Sequence, residues 1–145
     1  MLIFERTIEY RIRESLFKGR MVSILWPRQS GKTTLAKKIL QEHKVPEAYY
    51  DCQLADVRKH FILGEPDKLL SLTENKKLVV FDEAQTIQDI GTILKVFHDT
   101  YPDVQIIATG SSSVHTRLLW RPIPWRARKW YWKILPHNIS IKMFL

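Results

Sequence analysis

Two short stretches constrain this chain more than anything else in it. One is Trp26-Pro27-Arg28-Gln29-Ser30-Gly31-Lys32-Thr33-Thr34 and the other is Lys77-Leu78-Val79-Val80-Phe81-Asp82-Glu83-Ala84-Gln85. Before the first lies Met21-Val22-Ser23-Ile24-Leu25, an apolar, β-branched run suited to a strand buried on both faces. After it, Leu35, Ala36, Ile39 and Leu40 recur at helical spacing with cations between them. A loop that ends in Gly-Lys-Thr between a strand and a helix start is the setting of a phosphate-binding loop. The first backbone N–H groups of such a helix lack intrahelical partners and its dipole adds positive charge there, so a phosphate is favoured by geometry.

The residue types assign themselves roles in that setting. Gly31 lets the backbone come close, Lys32 reaches the terminal phosphates as a point charge, and the Thr33 hydroxyl offers an oxygen to Mg²⁺. Thr34 is placed for the α-phosphate, so residues Pro27, Arg28, Gln29, Ser30, Gly31, Lys32, Thr33 and Thr34 form the expected nucleotide-binding loop. The pattern G-x-x-x-x-G-K-[ST] departs at its first position, where this chain carries Trp26. Two placements of the indole are open from sequence: in the volume a nucleotide would take, or away over the strand end.

The second stretch is a four-residue apolar run that ends in two carboxylates, as in a central parallel strand presenting its last side chains at the carboxyl edge of a sheet. Asp82 is the expected Mg²⁺ carboxylate, directly or through water, and Glu83 the group that polarises an attacking water. A third run, Val104-Gln105-Ile106-Ile107-Ala108-Thr109, leads into Gly110-Ser111-Ser112-Ser113, read as a tight turn. Beside the strand at 78 to 82, Thr109 and Ser111 fall near a γ-phosphate and are candidates for sensing it.

Together, Pro27 to Thr34, Phe81-Asp82-Glu83-Ala84-Gln85 and Ala108-Thr109-Gly110-Ser111-Ser112-Ser113 resemble the prokaryotic AAA-type ATPase family in which a phosphate-loop domain precedes a C-terminal domain of unknown function. The resemblance covers most of residues 1 to 113. It implies an α/β three-layer sandwich, a parallel sheet with helices on both faces, of the additional-strand, catalytic-glutamate type. It also implies ATP and Mg²⁺ as ligands, Glu83 as catalytic carboxylate and Gln85 as a polar partner that couples it to a client. Where relatives show a Leu-x-Gly-Arg segment, this chain has Trp125-Arg126-Ala127-Arg128, and it stops at Leu145 where their long C-terminal domain begins. The expectation is therefore an ATPase domain over residues 1–136, a short tail over 137–145, and a fold incomplete at its C-terminus, the product of a truncated or frameshifted gene.

Charge divides the chain. Up to Asp103 there are 16 Lys or Arg against 15 carboxylates, whereas residues 104 to 145 carry seven Lys or Arg and no carboxylate. The +8 net charge is thus almost entirely local, and four of five tryptophans (120, 125, 130, 132) share that segment. Two readings compete: basic and aromatic side chains that grip nucleic acid, or strand residues of a core, Trp130 and Trp132 on one face and Tyr131 on the other. Within this segment Arg128, ahead of Arg126, is the candidate arginine finger, supplied from the same or a neighbouring subunit by self-association.

The rest reads as alternating helices and strands: a helix over 4–18, a strand over 48–52, helices over 55–63 and 67–72, and a helix over 87–101 stopped by Pro102. No leader pattern, membrane-length apolar run or repeat is visible, and a lone Cys52 excludes an internal disulfide, so the expected compartment is the cytoplasm. Five scattered histidines give no metal-ligand spacing. Besides a working ATPase, a degenerate nucleotide-binding scaffold without hydrolysis and a nucleic-acid-binding fragment are the alternative functions.

Overall fold

Three near-continuous apolar runs build the sheet. In the computed structural model, which describes residues 2–26, 31–111, 131–135 and 139–144 and the side chains of residues 8–25 and 31–111, these runs become β1 (Met21–Trp26), β3 (Leu78–Asp82) and β4 (Gln105–Ser111). With β2 (Glu47–Asp51), β5 (Tyr131–Leu135) and β6 (Ile139–Phe144) they form one six-stranded sheet in the order β2-β3-β4-β1-β6-β5. The four strands β2, β3, β4 and β1 run parallel, with Val80 opposite Ile107 and Ile24 opposite Thr109. So β4 is inserted between β1 and β3, the strands that carry the two diagnostic stretches.

Every residue of β3 and β4 is buried, because helices cover both faces. On one face, α1 (Leu2–Ser15) and α2 (Lys32–Glu42) lay Ile8, Ile12, Ala36, Ile39 and Leu40 on Val22, Ile24, Leu78, Val80 and Ile107. On the other, α3 (Ala55–Arg58), α4 (Pro66–Thr73) and α5 (Ile90–Thr100) pack Val57, Leu69, Ile90, Leu94 and Phe97 against Leu25, Val79, Phe81, Ile106 and Ala108. Phe81 anchors this second layer, edge-on to Phe61 with ring centroids 5.0 Å apart and stacked on Tyr50 at 5.8 Å. The three-layer α/β sandwich with helices on both faces is therefore present.

Several boundaries differ from the sequence expectation for local reasons. The helix expected over 55–63 stops at Arg58, because the chain tightens into a turn, with the Phe61 N–H donating to the Arg58 carbonyl at 3.0 Å, that buries Phe61 on Phe81. The helix expected from Ile87 starts at Ile90. Ala84–Thr86 form a single 3₁₀ turn, and Ile87 is extended with its side chain in the core. Gly110 and Ser111, read as a turn, continue β4 opposite Leu25 and Trp26. The parallel sheet is also extended by an antiparallel pair: β6 lies against β1, with Met21 opposite Phe144, and β5 against β6. Residues 139–144, read as part of a tail, thus pair with the strand that leads into the loop. Among the described residues no helix is long and apolar enough to cross a membrane.

Candidate functional site

Topology brings the two diagnostic stretches together at the carboxyl edge of the parallel strands. Gly31 is the N-cap of α2 at φ +80°, a left-handed conformation that glycine adopts without steric cost. Immediately after it, Lys32 is buried and its Nζ lies 2.8 Å from Glu83 Oε1. One residue on, Thr33 Oγ1 donates to Asp82 Oδ2 at 2.7 Å, across 49 residues of sequence. The intact half of the loop and both carboxylates of β3 therefore meet side chain to side chain.

Asp82 is the hub. It is buried at the end of β3 and accepts from three hydroxyls: Thr33, Tyr49 at 2.5 Å on the same oxygen, and Thr109 on the other oxygen. Burial pushes its pKa up, but the hydrogen bonds from Thr109, Tyr49 and Thr33 outweigh that and hold the carboxyl below its usual value. It is thus kept as an anion. The partner hydroxyl of Tyr49 is driven the other way, its pKa raised by burial and by the adjoining Asp82 charge, so it remains a donor.

Glu83 turns out of the strand with φ +53°, an uncommon backbone conformation for a non-glycine residue. Its N–H donates to Thr109 Oγ1 at 3.2 Å, so the threonine hydroxyl bridges the backbone of Glu83 and the carboxylate of Asp82. One oxygen of Glu83 faces Lys32 and the other accepts from the Gln85 amide. The loop beyond β2 is tied to the same corner. Cys52 N–H donates to the Asp82 carbonyl at 2.9 Å, and Thr86 Oγ1 donates to the Cys52 carbonyl at 3.0 Å.

Of the residues expected from sequence, Lys32, Thr33, Asp82, Glu83 and Thr109 share this one cluster. Thr34 lies on the exposed side of the first turn of α2. Ser111 is buried as the last residue of β4, opposite Trp26, the last residue of β1. Pro27, Arg28, Gln29, Ser30, Arg126 and Arg128 lie outside the described residues, as do the side chains of Trp26 and Trp132. Tyr49 is the participant that the sequence did not disclose. Alternation places it on the Asp82 side of β2, but only the pairing of β2 with β3 makes those positions neighbours.

A parallel sheet with a strand inserted between the loop-bearing β1 and the carboxylate-bearing β3, and a glycine-started helix facing that carboxylate, defines a phosphate-loop protein of the AAA type. Comparison with known families agrees: residues 18–122 match the AAA domain model, and the chain belongs to that family. Membership brings with it nucleotide binding of the ATPase kind. Two relatives, an uncharacterized protein of Mycobacterium bovis and one of Mycobacterium tuberculosis, are each 35% identical to the chain over 100 residues. That alignment takes in 68% of this chain and 21% of each relative, so the chain spans about a fifth of the length of the curated relatives it matches. No solved structure matches the chain.

Proposed function

We propose that this chain binds ATP with Mg²⁺ at the Lys32–Thr33–Asp82–Glu83 cluster and hydrolyses it. The observation that carries the reading is the 2.7 Å hydrogen bond from Thr33 to Asp82, set beside the 2.8 Å ion pair of Lys32 and Glu83. The donor set fits the ligands. Thr33 and Asp82 are hard oxygen donors of the kind Mg²⁺ takes, Asp82 is held ionised, and Lys32 with the first-turn N–H groups of α2, which have no partner within the helix, suits phosphate. Thr33 and Asp82 would hold the metal, which when bound would supply charge neutralisation to the phosphates.

The chain's own residues divide the remaining work. Lys32 is matched by Glu83 in this state, so a phosphate that draws the ammonium away releases the carboxylate. Glu83, freed on that side and still held by Gln85, is then placed to accept a hydrogen bond from the attacking water and orient it. Thr109 touches Asp82 and the Glu83 backbone at once, which makes it the residue through which the metal side and the water side keep register. Pro27 to Ser30 would complete the loop, and Arg128 would serve as the charge-stabilising arginine.

Calorimetric titration with Mg-ATP, followed by a phosphate-release assay, tests this on the whole chain. Binding that Lys32→Ala weakens by about 10- to 100-fold, the worth of a charged hydrogen bond, with turnover abolished in Glu83→Gln, is the expected result. Binding without phosphate release in the native chain would leave a nucleotide-binding scaffold. No binding in the native chain would sink the reading.

A further inference from the structure

Asp82 Oδ2 receives two hydroxyl donors, and they come from different parts of the molecule. Thr33 belongs to α2, whose start is the loop expected to respond to nucleotide. Tyr49 belongs to β2, an edge strand zipped in register to β3 from Glu47 opposite Leu78 to Asp51 opposite Asp82. Its hydroxyl reaches Asp82 at 2.5 Å from that edge strand. Over the ring stands Lys37, one helical turn after Thr33, with its Nζ 4.7 Å from the ring centroid. Tyr50, its neighbour, points to the opposite face and donates to the Leu72 carbonyl at 2.7 Å, so the two phenols of β2 serve different layers.

Building on the proposed ATP and Mg²⁺ site, we infer that Tyr49 is a positioning residue for Mg²⁺: it keeps Asp82 oriented when Thr33 gives its hydroxyl oxygen to the metal. In the described state Thr33 and Tyr49 hold the same carboxylate oxygen together. With Thr33 turned toward the metal and no phenol at position 49, the only side-chain hydroxyl left on the carboxylate would be that of Thr109 on the other oxygen, and the carboxylate could rotate about its Cβ–Cγ bond. Tyr49 removes that freedom. Hydrogen bonds of this kind, one step outside the metal ligands, commonly change metal affinity by about 10- to 100-fold when removed.

The test is calorimetric titration of the whole chain with ATP in EDTA and with ATP in Mg²⁺, for the native protein, Tyr49→Phe and Tyr50→Phe, with thermal unfolding of each. Tyr49→Phe is expected to bind ATP in EDTA within about twofold of native and to lose roughly tenfold of the affinity that Mg²⁺ adds. Tyr50→Phe, which breaks a bond in the other layer, is expected to lower the melting temperature and keep the full Mg²⁺ gain. An undiminished Mg²⁺ gain in Tyr49→Phe would overturn the inference, as would an equal loss with and without the metal, the mark of a general packing role. In both of those outcomes the native chain still binds Mg-ATP and the proposed nucleotide site stands. A native chain that ignores ATP would instead remove the parent reading and this one with it.

Discussion

The amide oxygen of Gln85 lies 2.9 Å from the position that a Cβ on Gly110 would occupy, with Leu25 Cδ2 at 3.2 Å from the same point. Gly110 is a strand residue with nothing unusual to ask of its backbone, so its lack of a side chain is a matter of space. That oxygen of Gln85 is buried and has no hydrogen-bond partner among the described residues, while the amide nitrogen holds Glu83. A methyl at Gly110 would push the Gln85 side chain off its place. Gly110→Ala is therefore expected to cost about 1–3 kcal/mol of stability, the usual range for overpacking, and to lower phosphate release more than ATP binding. Chemical denaturation alongside calorimetry and turnover checks both parts; equal losses in binding and turnover would contradict the coupling to Glu83.

Acid stability should report the hydroxyl cage around Asp82. Its folded pKa is depressed, so the stabilisation is complete above the unfolded value, near 4, and is lost as pH falls through the lower folded one. Glu9, depressed chiefly by its hydrogen bond to Lys38 and also by Arg13, contributes with the same sign where α1 meets α2. Denaturation midpoints of native, Asp82→Asn and Glu9→Gln, followed from pH 6 downward, should show a shallower acid slope in each variant than in the native chain. Glu9→Gln should matter less in strong salt because Arg13 and Lys38 are solvent-facing.

Much of this architecture was legible in the residues. The runs 21–25, 78–82 and 105–109 are buried strands because they are apolar and β-branched, and the meeting of Thr33 with Asp82 follows from placing both at one sheet edge. What was not legible depends on strand neighbours and on individual burial. Tyr49 becomes a site residue only through the pairing of β2 with β3, and Phe61 ends α3 early because Phe81 is there to receive it. Ser111 reads as a turn residue by composition, but pairing with β1 carries β4 through it. Of the antiparallel pair, β5 falls where the aromatic segment reads as strand residues, whereas β6 lies in residues read as a tail and becomes a strand only by pairing with β1.

Cys52 should be inert. Burial first, then the nearby Asp51, Asp82 and Glu83 charges, push its thiol up to about 12, and its side chain lies in the core. At pH 8 about one thiol in ten thousand would be ionised, and the thiolate is the nucleophile. A maleimide or disulfide reagent at that pH should leave the folded protein unlabelled over the time in which the denatured chain reacts fully. Rapid labelling of the folded chain would mean that the corner joining Cys52 to Asp82 and Thr86 opens readily.

Trp26 stands where the phosphate-loop pattern has glycine, and its backbone is the last of β1, paired opposite Ser111. The groups that would take phosphate follow it in sequence, and among them Gly31, Lys32 and Thr33 already have their left-handed turn, ion pair and carboxylate partner. If those groups determine affinity, residue 26 matters for the strand more than for the ligand. Trp26→Gly is then expected to cost about 0.5–1 kcal/mol of stability, as glycine does inside a strand, and to change ATP affinity by less than about tenfold. Lys32→Ala, which removes a charged donor, should exceed that. Calorimetry on the three chains decides it: a gain of several orders of magnitude in Trp26→Gly would show that the indole occupies the nucleotide's volume and that the native loop is a closed relic of the site.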